Sequence, residues 1–459
     1  MASIPTLKRS GGQVLIMTAL TLVVLLALSA LTIDLGMAYA VKAKLNSAVD
    51  AASLAAGKAV KIGADDATRR ANARAAANSF FAANFPTGIR STSGTTFSVD
   101  SITNVEGTWT VRVSASTVAP TFFSRLFFML PIRVGASAEA TVKTLDMMLV
   151  LDCSGSLGSD FPALRDAAKN FINGFQDGPG GDRVGLVTFA SGAVLSEAIN
   201  KDANRGFSKS SVIADLNATS MGGATNAEEA MRIAKAELDA IPVALRSTLR
   251  AIVFFSDGAP NIVSGKFKLK NPAGVTPNPV GLYSVQTSGY DAPYWWFTIS
   301  QCNGTDGNLL YNNASRVTHL PVTDYTGTVS LASFNNARTL TASGSDPIYK
   351  WTNTWCNLNK AARNMVENIA NAARGASGNA AITIYTIGLG SALKSQEVSG
   401  CGYGASELGE NILKRLANTT DSDKYQPAQP TGIYVWAADA SQLNSAFQRV
   451  RSAVLRLSQ

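Results

Sequence analysis

Along the chain, the spacing of hydrophobic positions passes through four regimes, and each predicts a different element. From Ser10 to Ile33 no charge occurs: SGGQVLIMTALTLVVLLALSALTI. A helix of that length spans a hydrocarbon core of about 30 Å. Beyond it, Met37, Val41, Leu45 and Val49 continue at spacing four, with Lys42, Lys44, Asn46 and Asp50 on other faces. The same helix is expected to leave the bilayer and turn amphipathic. Its apolar face suits packing on its own chain and packing on a partner equally well. A second Ala-rich helix is expected over 65–85, closed by Pro86. Alternation then takes over. Trp109, Val111 and Val113 alternate with polar residues, as do Ile132, Val134, Ala136, Ala138, Ala140 and Val142. These read as half-buried antiparallel strands. FFSRLFFML (122–130) lies between them and reads as core, with the membrane surface as the alternative.

From Leu145 the pattern becomes strand–helix alternation. Strands are expected at MMLVL (147–151), VGLVTFA (184–190), AIVFF (251–255), ITIYTIGLG (382–390) and IYVW (433–436). Between and after them lie helical stripes. One is Leu164, Ala168, Phe171, Ile172 and Phe175, and another Ala230, Met231, Ala234, Leu238 and Ile241. A third is Leu358, Ala362, Met365, Val366 and Ile369, and the last Leu443, Phe447, Val450, Val454 and Leu457. This predicts an α/β fold with a doubly wound, mainly parallel sheet. Residues 262–356 break the alternation with an Asn-, Gly-, Thr- and aromatic-rich stretch that holds Trp295, Trp296, Trp351 and Trp355. A structureless loop of that length is uncommon, so an inserted subdomain is expected. Its YWWF (294–297) is read as building its own core, with a binding surface as the alternative. The expected organisation is a cytoplasmic tail (1–12), a transmembrane helix (13–34), a helical stalk (35–85) and a small β region (86–144). The α/β domain follows in two parts (145–261 and 357–459) around the insertion (262–356).

Composition narrows the function. The chain has 459 residues, 46% hydrophobic and 16% charged, which implies folded domains and more than one of them. The net charge is +8, but Lys and Arg are scattered, so no nucleic-acid partner is expected. Lys8 and Arg9 precede the apolar span and Asp34 follows it. That asymmetry predicts a single-pass membrane protein, N-terminus cytoplasmic and C-terminal part exported. A cleaved signal peptide would need a shorter core, and a prepilin-type leader a Glu near the fifth position after Gly12, where QVLIM stands instead. An uncleaved anchor is preferred. The lone His319 argues against His-rich zinc sites and a Ser-His-Asp triad. Cys153, Cys302, Cys356 and Cys401 form no CxxC pair. Cys302 and Cys356 bracket the aromatic segment and are the favoured disulfide in an oxidising compartment. Cys153 is expected to act as a small buried hydrophobe.

Three strand ends carry oxygen-bearing side chains. LVLDCSGS gives Asp152, Ser154 and Ser156; GGATN, before a helix, gives Thr225; FFSDGAPN gives Asp257. In an open α/β sheet the loops at the carboxyl ends of the strands converge. Two carboxylates and three hydroxyls, without nitrogen or sulfur, suit a hard cation: Mg²⁺, with Mn²⁺ or Ca²⁺ as alternatives. If the aspartates act through water, the ion stays electrophilic and attracts an acidic group from a partner. Taken singly, each residue has an ordinary reading as a helix cap or turn.

DCSGS, Thr225 in GGATN, and SDGAPN resemble the metal-ion-dependent adhesion site of von Willebrand factor A domains. The resemblance covers roughly 145–459, interrupted by the insertion. It implies that Ser154, Ser156 and Thr225 bind the metal directly, that Asp152 and Asp257 act largely through water, and that a partner carboxylate completes the shell. The insertion starts at the metal face, where it would cap the site, select the ligand or block access. Residues 10–57, with a Gly-Gln entry, an Asp-Leu-Gly exit and LNSAVDAA, resemble the N-terminus of TadE/TadG-like Flp (tight adherence) pilus assembly proteins. Together these imply a bacterial envelope protein of the inner membrane that helps assemble or anchor an adhesive pilus, with pilus or pilus-assembly subunits as partners, and no enzyme. Two alternatives remain. One is a structural component whose metal only stabilises the fold. The other is a Mg²⁺-dependent phosphohydrolase using Asp152, which would want a second Asp where Ser154 stands.

Overall fold

The computed structural model describes residues 11–63, 65–105, 108–122, 131–270, 273–275, 278–284, 294–300, 302, 317–335, 338–340, 342–343, 346–349, 354–395, 401 and 407–458. The chain forms two compact units, the first ending at Val142.

In the first unit, α1 (Gly11–Ala59) is one uninterrupted helix. Its charge-free half exposes Val14, Leu20, Leu26 and Ile33, and it is long and apolar enough to cross a membrane. After Asp34 the helix becomes one-sided: Ala38, Val41, Leu45, Val49, Ala52 and Ala56 are buried. They pack against Ala73, Ala77 and Phe81 of α2 (Asp66–Asn84), and against a sheet. The spacing-four stripe is therefore covered by its own chain. Small alanines on both helices permit their close approach. The Asp65 carboxylate caps α2 by accepting the Thr68 N–H at 2.7 Å. The sheet runs in the order β1 (Ser93–Val105), β2 (Thr108–Ala119), β3 (Ile132–Lys143). Thr95 meets Thr117 and Asp100 meets Ser114, while Arg112 meets Glu139 and Gly135 approaches Ala115. Partner numbers fall as strand numbers rise, so both pairings are antiparallel, as the alternation predicts. β1 was not foreseeable from hydrophobic alternation, because only Ile102 along it is buried. Residues 123–130, most of FFSRLFFML, lie outside the described residues.

The second unit opens with β4 (Leu145–Asp152), α3 (Phe161–Ile172), β5 (Arg183–Phe189), β6 (Ala193–Glu197), α4 (Lys209–Ala218), α5 (Ala227–Asp239) and β7 (Leu249–Ser256). The insertion contributes β8 (Ile262–Gly265), β9 (Lys268–Lys270), β10 (Ala273–Val275), β11 (Val280–Ser284), β12 (Tyr294–Thr298), β13 (Val317–His319), β14 (Ala342–Ser343) and β15 (Asp346–Tyr349). The domain resumes with α6 (Thr354–Arg374), β16 (Thr383–Leu389), α7 (Gly409–Ala417), β17 (Tyr434–Ala437) and α8 (Leu443–Ser458). The main sheet has the order β17-β16-β7-β4-β5-β6, parallel except for the edge strand β6. Leu164, Phe171, Phe447 and Val450 of α3 and α8 cover one face. Met231, Leu238, Val366 and Leu413 of α5, α6 and α7 cover the other. Every residue of β4, β5 and β7 is buried, as two covered faces require. The doubly wound α/β sheet is as expected; β6, α4 and α7 are additions to it.

The insertion is not cored on itself alone. Val263, Phe267, Leu282, Leu320 and Leu331 pack on Leu358, Ala361 and Met365 of α6. β8, β11 and β12 form an antiparallel sheet. YWWF supplies most of β12, but its side chains, with those of His319, Trp351 and Trp355, lie outside the described residues. The expected Cys302–Cys356 disulfide is corrected: Cys356, in the first turn of α6, bonds to Cys401. Sequence bracketing misleads here because Cys302 is held beside Cys153 instead, with the two Sγ atoms 3.1 Å apart. Cys153 itself is buried in the core as expected.

At the amino end of β4, Asp146 is fully buried and accepts hydrogen bonds from Arg183 and Arg205, each at 3.1 Å, and from the Ser247 N–H and hydroxyl, each at 2.7 Å. Asp146→Ala would strand two buried guanidinium groups. The expected loss in urea unfolding followed by circular dichroism is about 3–5 kcal/mol, with a smaller loss for Asp146→Asn, which keeps the carboxamide oxygen.

Candidate metal centre

The five predicted residues converge at the carboxyl ends of β4 and β7 and the start of α5. β4 ends at Asp152, which is fully buried. One carboxylate oxygen accepts the Ser154 N–H at 2.8 Å and the other accepts the Ser256 hydroxyl at 2.6 Å. The Ser154 and Ser156 hydroxyls are 3.0 Å apart, and both reach Oδ1 of Asp257, at 3.5 and 2.9 Å. Thr225 stands close to the loop that carries Asp257: its Oγ1 lies 4.0 Å from where a Cβ on Gly258 would stand. Ser154 and Thr225 are buried, Asp257 is half-buried and Ser156 is exposed, so the cluster opens to solvent on the Ser156 side.

The loops are held by backbone contacts that the side-chain motifs do not spell out. The Gly155 N–H donates to the Gly223 carbonyl at 3.1 Å, and the Gly222 N–H to the Cys153 carbonyl at 2.9 Å. Gly222 and Gly223 both have positive φ (155° and 81°), which fits a Gly pair ahead of Thr225. Thr225 is locked by its N–H donating to the Asn261 side-chain oxygen at 2.8 Å, while the Asn261 N–H donates back to the Thr225 carbonyl at 3.1 Å. Ser191 accepts the Ala224 N–H at 3.0 Å. Ser256, Asn261 and Ser191 are thus positioning residues missed by sequence reasoning. Ser256 and Asn261 stand inside FFSDGAPN, but only the pairing of loops distant in sequence gives them work. The insertion does start at this face. The Asn226 amide donates to the Ser264 hydroxyl of β8 at 3.0 Å, and the Ser264 N–H donates to buried Glu228 at 2.6 Å.

The electrostatics are those of two carboxylates held together without a counter-charge. Burial pushes the Asp152 carboxyl from its ordinary 3.8 up to about 7, and the neighbouring Asp257 adds to the rise. Asp257 is also raised, again chiefly by burial. Among the described residues no Lys or Arg forms an ion pair with either. The same residues contain no group of three or more His, Cys, Asp or Glu side chains that could hold a metal. The oxygen set here is of a different kind, two carboxylates and three hydroxyls. It fits a hard divalent cation by chemistry: a cation would favour the ionised form of both aspartates, and the hydroxyls would turn their lone pairs to it. Both oxygens of Asp152 already accept hydrogen bonds from the protein, so the hydroxyls are the freer donors.

Comparison with known proteins agrees with the topology. Residues 147–259 match the family of the von Willebrand factor type A domain, and residues 12–66 match the Tad family, described as Flp pilus-assembly TadE/G-like. None of the curated proteins compared matches the chain. Among solved structures, the vWF domain of the type V pili tip protein Mfa5 from Porphyromonas gingivalis is 16% identical, with 70% of this chain and 98% of that chain covered and a TM-score of 0.37. The pilus adhesin SpaC from Lactobacillus rhamnosus GG is 14% identical over 79% of this chain and 34% of its own, with a TM-score of 0.38. A von Willebrand factor type A protein from Catenulispora acidiphila is 11% identical over 79% and 50%, with a TM-score of 0.33. The chain thus spans a third and a half of the last two. Likenesses this distant add nothing to the family matches and the strand order, on which the assignment rests. The chain joins a TadE/G-like N-terminal segment to a von Willebrand factor A-like α/β fold.

Proposed function

We propose that this chain is a membrane-anchored binding protein of a Tad-type pilus system. Its von Willebrand A-like domain holds a divalent cation, Mg²⁺ in the first instance, on Ser154, Ser156 and Thr225, with Asp152 and Asp257 behind them. Through that ion it binds a carboxylate of a protein partner, a pilus or pilus-assembly subunit. The carrying observation is the convergence of the Ser154 and Ser156 hydroxyls on half-buried Asp257, beside fully buried Asp152 and with Thr225 close by, where among the described residues no Lys or Arg neutralises either acid. A bound cation would supply Lewis acidity toward an anionic group, and the exposed side at Ser156 is where that group would enter. The Tad match and the apolar half of α1 support a membrane anchor, and Lys8 and Arg9 support a cytoplasmic N-terminus with the domain exported. A phosphohydrolase reading is disfavoured because Ser154 stands where it would need a second Asp. The stabilising-only reading differs from ours in one respect: it predicts no metal-dependent partner.

Melting of the full chain in detergent tests the ion. A ligand that binds only the folded state stabilises it by about 2.7 kcal/mol at a hundredfold excess over Kd. Mg²⁺ should raise Tm in a concentration-dependent way, EDTA should reverse the rise, and Thr225→Val should abolish it with the circular dichroism spectrum unchanged. A Tm indifferent to Mg²⁺, Mn²⁺ and Ca²⁺ would sink the metal reading.

The pH dependence carries a second signature. In EDTA, the folded chain binds a proton at Asp152 more tightly than the unfolded chain does, so stability should fall as pH rises from about 4 to about 7. Asp152→Asn should flatten that fall and, in EDTA above pH 7, melt higher than wild type. Saturating Mg²⁺ should reverse the order of the two proteins.

With Mg²⁺ present, a carboxylate-bearing subunit should be retained by the wild type and released by EDTA or by Asp152→Ala. Retention that ignores both would favour a metal that serves stability alone.

A further inference from the structure

Cys153 and Cys302 take no part in the reading above, yet they are placed with care. Cys153 fills the position between Asp152 and Ser154. Its N–H donates to the Phe189 carbonyl at the end of β5 at 2.8 Å, and its side chain is buried. Cys302 comes from far away in sequence, just beyond β12. The Ile299 carbonyl, three residues earlier, accepts the Ala193 N–H of β6 at 2.8 Å, which brings this stretch of the insertion to the same corner of the main sheet. There the two Sγ atoms stand 3.1 Å apart, about 1 Å beyond a covalent S–S bond. Cys302 is only partly buried and packs against the core beneath α3 and α8. The other two cysteines, Cys356 and Cys401, are already joined. A thiol pair is thus left facing each other in a chain that carries a disulfide elsewhere, and disulfides persist where the compartment is oxidising.

We infer that Cys153 and Cys302 form a second disulfide, which fastens the insertion to the loop that carries Asp152, Ser154 and Ser156. The juxtaposition alone carries this, and it stands whether or not a metal binds. The two thiols lose two protons and two electrons to an external disulfide of the thiol-exchange class, which leaves as two thiols. The half-exposed Cys302 forms the mixed disulfide, and Cys153 attacks the Cys302 sulfur to release the carrier. The bond spans 149 residues, against 45 for Cys356–Cys401, so it constrains the unfolded chain more. It also makes the position of the insertion and the shape of the Asp152–Ser156 loop a single covalent matter.

The test uses the full chain in detergent, reduced, then exposed to oxidised glutathione, blocked with N-ethylmaleimide and mapped by mass spectrometry without reduction. The expected result is two cross-linked peptide pairs, Cys153–Cys302 and Cys356–Cys401, and no maleimide on any cysteine. Maleimide on both Cys153 and Cys302 beside an intact Cys356–Cys401 bond would overturn the inference, as would a Cys153 linked to any other cysteine. Cys302→Ala separates bonding from packing. It should melt below wild type in the oxidised state, and the gap should close when both proteins are reduced. A gap of the same size in reductant would mean that Cys302 acts by packing alone, and the clamp would be lost.

Discussion

A buried aspartate stands at each end of the central strand β4, and the domain treats the two in opposite ways. Burying a carboxylate without compensation is costly enough that such a group is paired, hydrogen-bonded or protonated. Asp146, at the amino end, is neutralised by Arg183 and Arg205 and by two bonds from Ser247. Asp152, at the carboxyl end, receives hydrogen bonds but, among the described residues, no cationic side chain, and faces a second acid. One end of the strand is closed chemistry that holds the sheet together. The other is left with acid to spare, at the crevice where a parallel sheet presents its loops. The division of labour follows from the direction of the strands.

That contrast also explains what could be read in advance. The carboxyl-end acids were legible because Asp152, Ser154 and Ser156 share one short stretch, and Thr225 and Asp257 each sit where a strand or helix pattern ends. The supports were not. Ser256, Asn261 and Ser191 act across loops distant in sequence, and no local pattern announces such partners. The parallel strands were legible because burial on both faces leaves continuous apolar runs. β1 and β6, which lie at sheet edges with few buried positions, leave no such mark. The disulfide went astray for the same reason: spacing in sequence says little when a chain folds back through an insertion.

The insertion has its roots in the site itself. Asn261, the residue before it, locks Thr225, Ser264 ties β8 to Asn226 and Glu228, and the far end of β12 returns to β6 and Cys153. Its apolar side chains then lean on α6. It is therefore built into both the crevice and one of the covering helices, and a change in its sequence would be felt at both.

The first unit has a geometric consequence of its own. α1 runs for 49 residues without a break, about 74 Å, of which a bilayer core takes about 30 Å. With the apolar half as anchor, the buried half is the same rigid rod, and the small sheet and α2 are packed directly on it. Nothing between them can swivel. The compass bearing of that unit in the plane of the membrane is then fixed by residue count: one residue added to the helix would turn it by about 100° and lift it by about 1.5 Å.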